Sequence, residues 1–137
     1  MAYIPYTISR EHKERKMDKF TVEFYEKENG DIPVEEFLDS LNIRMKAKSV
    51  GLIKILQEKG NLLREPYSKP LGDGIFELRC KVGNDISRVL YFFYYNGKII
   101  MTNGFVKKTR KTPRAVINRA KAYRDDYLER NGKNEKI

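Results

Sequence analysis

The stretch from Ile75 to Val106 leaves this chain little choice of architecture. IFELRCKV puts Phe76, Leu78, Cys80 and Val82 on one side and Glu77, Arg79 and Lys81 on the other, the two-residue period of a half-buried strand. ISRVLYFFYY is apolar at both alternations, which suits a strand covered on both faces. Asn96-Gly97 accepts the positive φ angles of a two-residue hairpin turn and joins this strand to KIIMTNGFV. Three consecutive strands therefore form the centre of the molecule, and everything else has to pack around them.

Upstream, Phe20, Val22 and Phe24 alternate with Thr21, Glu23 and Tyr25 as a first strand, and Asn29-Gly30 supplies the turn after it. Pro33 stands where a first helical residue belongs, Glu35 and Glu36 suit the positive end of the helix dipole, and Phe37, Leu38 and Leu41 share a face. A second helix from about Ile43 turns Met45, Leu52, Ile53 and Leu56 inward and closes at Gly60-Asn61. LLREPYSKPLGDG has no usable period and reads as a loop. Thr112 as N-cap, Pro113 in the first turn, and Ile117, Ala120, Tyr123 and Tyr127 at helical spacing predict a last helix that stops near Asn131-Gly132. The order is β-α-α-β-β-β-α, an α+β domain.

With 137 residues, 40% of them hydrophobic, the chain has material for one domain with a real core. Residues 1–16 are polar, close on REHKERK and precede a second methionine, Met17, so they read as an extension outside the fold. The domain is expected to span residues 17–130, with 131–137 as a polar tail. Charge narrows the function. The net charge is +9, and Phe105 to Arg124 holds eight Lys or Arg residues without an Asp or Glu. A run like this repels itself, which points to nucleic acid unless it is a solvated helix face. The single Cys80 excludes an internal disulfide, and no Cys, His, Asp and Glu cluster has metal-ligand spacing, so neither metal nor other cofactor is expected. No stretch is apolar enough to span a bilayer, and the N-terminus lacks the apolar core of a signal peptide; a cytoplasmic protein without a membrane partner is the expectation.

DIPVEEFLDSL, KPLGDGIFELR, RVLYFFYYNGKII and GFVKKTRKTP, in that order, resemble the HigB-like branch of the RelE/ParE toxin superfamily, phage-related members included. The resemblance covers roughly Met17 to Arg130. It implies a RelE-like fold: a twisted antiparallel sheet of about four strands packed against the N-terminal helical hairpin, with a C-terminal helix and an RNA-facing surface on the other side of the sheet. It also implies the toxin of a type II toxin–antitoxin pair. Its partners would be a cognate antitoxin, often with a helix-turn-helix domain, the ribosome and mRNA; operator DNA would be reached only through the antitoxin complex. The implied activity is that of an mRNA interferase, a metal-independent, ribosome-dependent endoribonuclease.

Such cleavage uses the 2′-hydroxyl against the adjacent phosphate, so a site needs a proton acceptor, a donor for the leaving oxygen and cations for the crowded negative charge. Arg79, beside Lys81 on the polar side of its strand, can clamp a phosphate with two parallel hydrogen bonds. Lys69 in the preceding loop and Lys107 and Lys108 after the last strand converge on it if the strands are neighbours. By resemblance these four, Arg79, Lys107, Lys69 and Lys108, take the catalytic role, and Lys81, Arg110, Lys111 and Arg114 bind nucleic acid. Many HigB-like toxins carry histidine before the Gly-Phe of the last strand, where this chain has Asn103, and an amide moves no proton at neutral pH. A lysine crowded by other cations then acts as base, or positioning and electrostatics supply most of the rate. The alternatives are a gyrase-inhibiting toxin without an active site and a nucleic-acid-binding relative that cuts nothing. Tyr91, Tyr94 and Tyr95 read as packing, Arg88 as a ligand or an internal partner of Glu77 or Asp85, Cys80 as a small buried side chain and His12 as a surface residue.

Overall fold

The structure, a computed structural model, describes residues 2–3, 20–107 and 111–135. In chain order its elements are β1 (Ala2–Tyr3), β2 (Thr21–Tyr25), α1 (Pro33–Ser40), α2 (Ile43–Lys59), a 3-10 turn (Gly60–Leu62), β3 (Ser68–Gly72), β4 (Ile75–Val82), β5 (Asp85–Tyr94), β6 (Lys98–Lys107) and α3 (Arg114–Glu135). The expected hairpin is present: Asn96 and Gly97 have φ of 62° and 70° between β5 and β6. The helices also begin as read, with Pro33 opening α1 and the Asn42 side chain accepting from Met45 N at the start of α2.

The sheet is larger and less uniform than expected. Its strand order is β1-β2-β6-β5-β4-β3, and β2 lies parallel to β6, with Val22 opposite Ile99 and Phe24 opposite Met101. Alternation marks a strand without saying which way its neighbour runs, so the expected four-stranded antiparallel sheet becomes six-stranded and mixed. Part of the supposed loop is β3, whose Ser68 hydroxyl lies 2.6 Å from the Tyr91 hydroxyl. Its prolines hid it. Pro70 is tolerated there because β3 is an edge strand and needs no second row of hydrogen bonds. From the expected extension, Ala2 and Tyr3 pair with Tyr25 and Phe24 at the opposite edge; residues 4–16, His12 among them, lie outside the described residues.

Each face of the sheet carries helices. Val22, Phe24, Leu78, Cys80, Val89, Tyr91, Ile99 and Met101 pack against Val34 and Leu38 of α1 and Met45, Leu52, Ile53 and Leu56 of α2. Gly104 lets α1 close on β6, since a Cβ there would stand 2.2 Å from the Phe37 ring. On the other face, Tyr25, Ile75, Leu90, Phe92 and Ile100 pack against Ala120 and Tyr127 of α3. The face expected to meet RNA is therefore partly roofed by the C-terminal helix, whose Ala120 and Tyr127 had been placed on one stripe but not against this face. That helix also runs past Gly132 to Glu135 instead of stopping, with the Asn131 side chain donating back to Tyr127 O at 2.9 Å. The aromatic run serves the core as read: Tyr91 and Phe92 are buried, while Tyr95 at its end is exposed.

Candidate nucleic-acid interface

Antiparallel partners that sit opposite one another send their side chains to the same face. The register across β3, β4, β5 and β6 therefore lays out rows on the α3 side of the sheet. Lys69 faces Glu77, which faces Leu90, which faces Asn103. The next row is Arg79, Arg88 and Phe105, and the one beyond it is Lys81, Ile86 and Lys107. Of the expected site residues, Lys69, Arg79, Lys81 and Lys107 are thus brought to one face. Lys107 stands two strand spacings from Lys81, about 10 Å. Lys108 and Arg110 lie outside the described residues. Lys111 and Arg114 are exposed near the start of α3.

Beneath this surface is a buried charge cluster. Glu77 is 1% exposed and its carboxylate lies 3.3 Å from Arg79 Nε and 3.8 Å from Arg88 Nε. Arg88 is fully buried, with its guanidinium 5.5 Å from the centroid of the Phe105 ring. The Lys107 ammonium stands 5.6 Å from the same ring. Burial pushes the Arg88 guanidinium below its ordinary pKa, the Glu77 charge pushes it back, and the Arg79 charge pushes it down again. Among the described residues, two guanidinium groups thus lie against this one carboxylate. Arg88 is thereby an internal partner of Glu77, and Arg79, half-buried, is the member of the pair that reaches solvent.

Thr112 completes the cluster. Its hydroxyl donates to Glu77 Oε1 instead of capping α3, and the side chain is buried. Helical bonding at that end begins from the Pro113 carbonyl, which accepts from Val116 N and Ile117 N. Glu77, Thr112 and Phe105 were absent from the expected site. The alternation had put Glu77 beside Arg79, but no local pattern could say that a strand glutamate would be buried by a threonine 35 residues later. Asn103 is likewise structural. Its Nδ2 donates to Val116 O at 3.2 Å, its Oδ1 accepts from the Thr102 hydroxyl at 2.7 Å, and it ties β6 to α3.

The basic run does not form one patch. Lys121 and Arg124 lie 3.4 and 3.3 Å from Asp73 in the β3–β4 turn, and the Lys121 hydrogen bond and charge, then those of Arg124, hold that carboxyl below its ordinary pKa. Lys107, at the other end of the run, lies on the Arg79 face. Cys80 is buried in the core as expected. Among the described residues no group of three or more His, Cys, Asp and Glu side chains is placed to hold a metal ion, and no helix is long and apolar enough to cross a membrane.

Residues 36–125 match the family model described as Phage derived protein Gp49-like (DUF891). Among solved structures, the chain is similar to one in the crystal structure of the archaeal RelE-RelB complex from Pyrococcus horikoshii OT3, at 16% identity and a TM-score of 0.45, over 68% of this chain and 99% of that one. No curated protein matches the chain.

Proposed function

The chain belongs to the phage-derived Gp49-like family, a family of the RelE/HigB toxin type, and from that premise we propose that it is the toxin of a type II toxin–antitoxin pair that cuts mRNA on the ribosome. The observation that carries this reading is the gathering of Lys69, Arg79, Lys81 and Lys107 on one face beside the Glu77–Arg79–Arg88 cluster. Arg79 presents its Nε edge to Glu77, so its terminal nitrogens are the pair that clamps the scissile phosphate. The ribose 2′-oxygen attacks the phosphorus, the bond to the 5′-oxygen breaks, and the leaving oxygen takes up a proton; the products are a 2′,3′-cyclic phosphate and a 5′-hydroxyl. Lys107, helped by Lys69 and Lys108, stabilises the dianionic transition state or moves the proton, while the ribosome aligns the message. Lys81, Arg110, Lys111 and Arg114 hold flanking phosphates. The toxin acts in the cytoplasm, and a cognate antitoxin covers it.

A second reading is favoured by Asn103, which is committed to Val116 where many relatives place a histidine. On that reading the protein inhibits gyrase and cuts nothing. Inducing the protein and mapping new 5′ ends in translated messages separates the two. New ends support the nuclease. DNA damage with intact transcripts overturns it in favour of gyrase inhibition.

A further inference from the structure

Lys107 closes β6 and is exposed, on the side of the sheet that carries Arg79. A lysine at the free end of a strand has a long flexible stem and no reason of its own to point in one direction. Among the described residues no carboxylate pairs with it. Its ammonium nevertheless stands 5.6 Å from the centroid of the Phe105 ring. Phe105 is about 7 Å back along the strand, in the row of Arg79 and Arg88. The lysine therefore leans back along β6, and its charge is carried from its own row, that of Lys81 and Ile86, toward the row of Arg79.

The ring is itself held. Phe105 is half-buried and lies opposite Arg88, whose fully buried guanidinium is 5.5 Å from the same centroid. Arg88 Nε in turn lies 3.8 Å from the Glu77 carboxylate. A chain of contacts thus runs from a buried ion pair through an aromatic ring to a surface ammonium. The π face of a ring attracts a cation without neutralising it, and more strongly once water is excluded. A carboxylate in its place would orient the lysine but cancel its charge and repel phosphate. An aliphatic side chain would fill the space and orient nothing.

We propose that Phe105 is a positioning residue: its ring fixes the Lys107 ammonium beside the Arg79 row, where both cations reach the same phosphate. Arg79 and Phe105 are two strand spacings apart, about 10 Å, a gap that two long side chains close from either side of one phosphate group. An ammonium fixed beforehand needs less ordering as negative charge builds on the phosphate, so the effect falls on the rate rather than on binding. The consequence for rate rests on the nuclease reading; the contact itself does not.

The test places monofluorinated and trifluorinated phenylalanine at position 105 of the full chain. Fluorine draws charge from the ring face while nearly preserving shape and apolarity, so packing is kept and the attraction for a cation is lost in steps. Single-turnover cleavage of a translated message should slow with each step, by about fivefold or more for the trifluorinated ring, while the half-saturating concentration stays within about twofold. Phe105→Leu should slow cleavage similarly and Phe105→Tyr should not. In a Lys107→Ala background, Phe105→Leu should slow it no further. In the parent, the ring should shift the Lys107 ε-methylene protons upfield of an exposed lysine's, and Phe105→Leu should remove that shift. The proposal is overturned if the trifluorinated protein cuts at the parental rate, if Phe105→Leu slows the Lys107→Ala protein as much as it slows the parent, or if the methylene protons show no shift. Shifted methylene protons in a parent that cuts nothing uphold the contact and overturn the nuclease reading instead.

Discussion

The hydroxyl of Thr112, at the threshold of α3, donates to the carboxylate of Glu77 in the middle of β4. This contact joins the last helix to the strand that carries Arg79, and it shields a carboxylate that two guanidinium groups share. Thr112→Val should cost about 1–3 kcal/mol, because it leaves a buried acceptor without that donor. Glu77→Gln should cost more, about 3–5 kcal/mol, because Arg88 stays buried without the opposite charge. Urea unfolding midpoints of the two variants and the parent measure both.

Arg79→Ala and Lys107→Ala should each lose about a hundredfold or more of mRNA cleavage on translating ribosomes while remaining folded at the assay temperature. Arg79→Lys should recover little, since an ammonium cannot make two parallel bonds to phosphate. Cleavage at the parental rate in both alanine variants would place the chemistry elsewhere.

Periodicity made the strands β2, β4, β5 and β6, both N-terminal helices and the core face legible in the sequence, because alternation and helical spacing are local signals. The parallel pairing of β2 with β6, the edge strand β3 and the seating of α3 on the sheet depend on which elements meet in space. The site divides in the same way. Arg79, Lys81 and Lys107 could be read from charge on a polar strand face or at a strand end. Glu77, Thr112 and Phe105 could not, because their roles arise from register across three strands and from a contact that no nearby residue announces.

If the Lys107 end of the basic run meets phosphate, binding to ribosomes or RNA should weaken steeply with salt. Replacing Lys107, Lys111 or Arg114 singly by alanine should flatten the log–log slope by roughly one unit through reduced counterion release. Replacing Lys121 should change it little, because that side chain is spent on Asp73. Filter binding across a salt series reads the slopes.

Alkaline pH should expose the link between β2 and α3. The Tyr25 phenol is pushed up to about 12, first by burial and then by its hydrogen bond to Asp126 and that residue's charge. In the unfolded chain it titrates near 10. Below that pH both states keep the proton and the contribution to stability is intact; between about 10 and 12 the unfolded chain ionises first and the contribution is lost. Stability measured by urea unfolding across this window should fall less in Tyr25→Phe than in the parent.

We propose that residues 17–130 are sufficient for the fold. Removal of residues 1–16 takes away the two-residue pairing of Ala2 and Tyr3 with the outer edge of β2. The melting temperature should move by less than about 5 °C, the shift expected for a loss of no more than roughly 1 kcal/mol. A larger fall would assign the N-terminal segment to the core.

The place of β6 in the sheet has a consequence for how the protein is born. β6 is the last of the sheet's described strands to leave the ribosome, yet it lies between β2 and β5 and supplies the parallel partner of a strand made nearly eighty residues earlier. A nascent chain ending before Lys98 therefore holds β2 and β5 each with an unpaired hydrophobic edge, the arrangement most open to wrong association. Pairing over so long a sequence separation is also slow to nucleate. Folding of the sheet is deferred until β6 has emerged, and premature termination upstream of β6 yields a chain that cannot assemble the Lys107 side of its basic face.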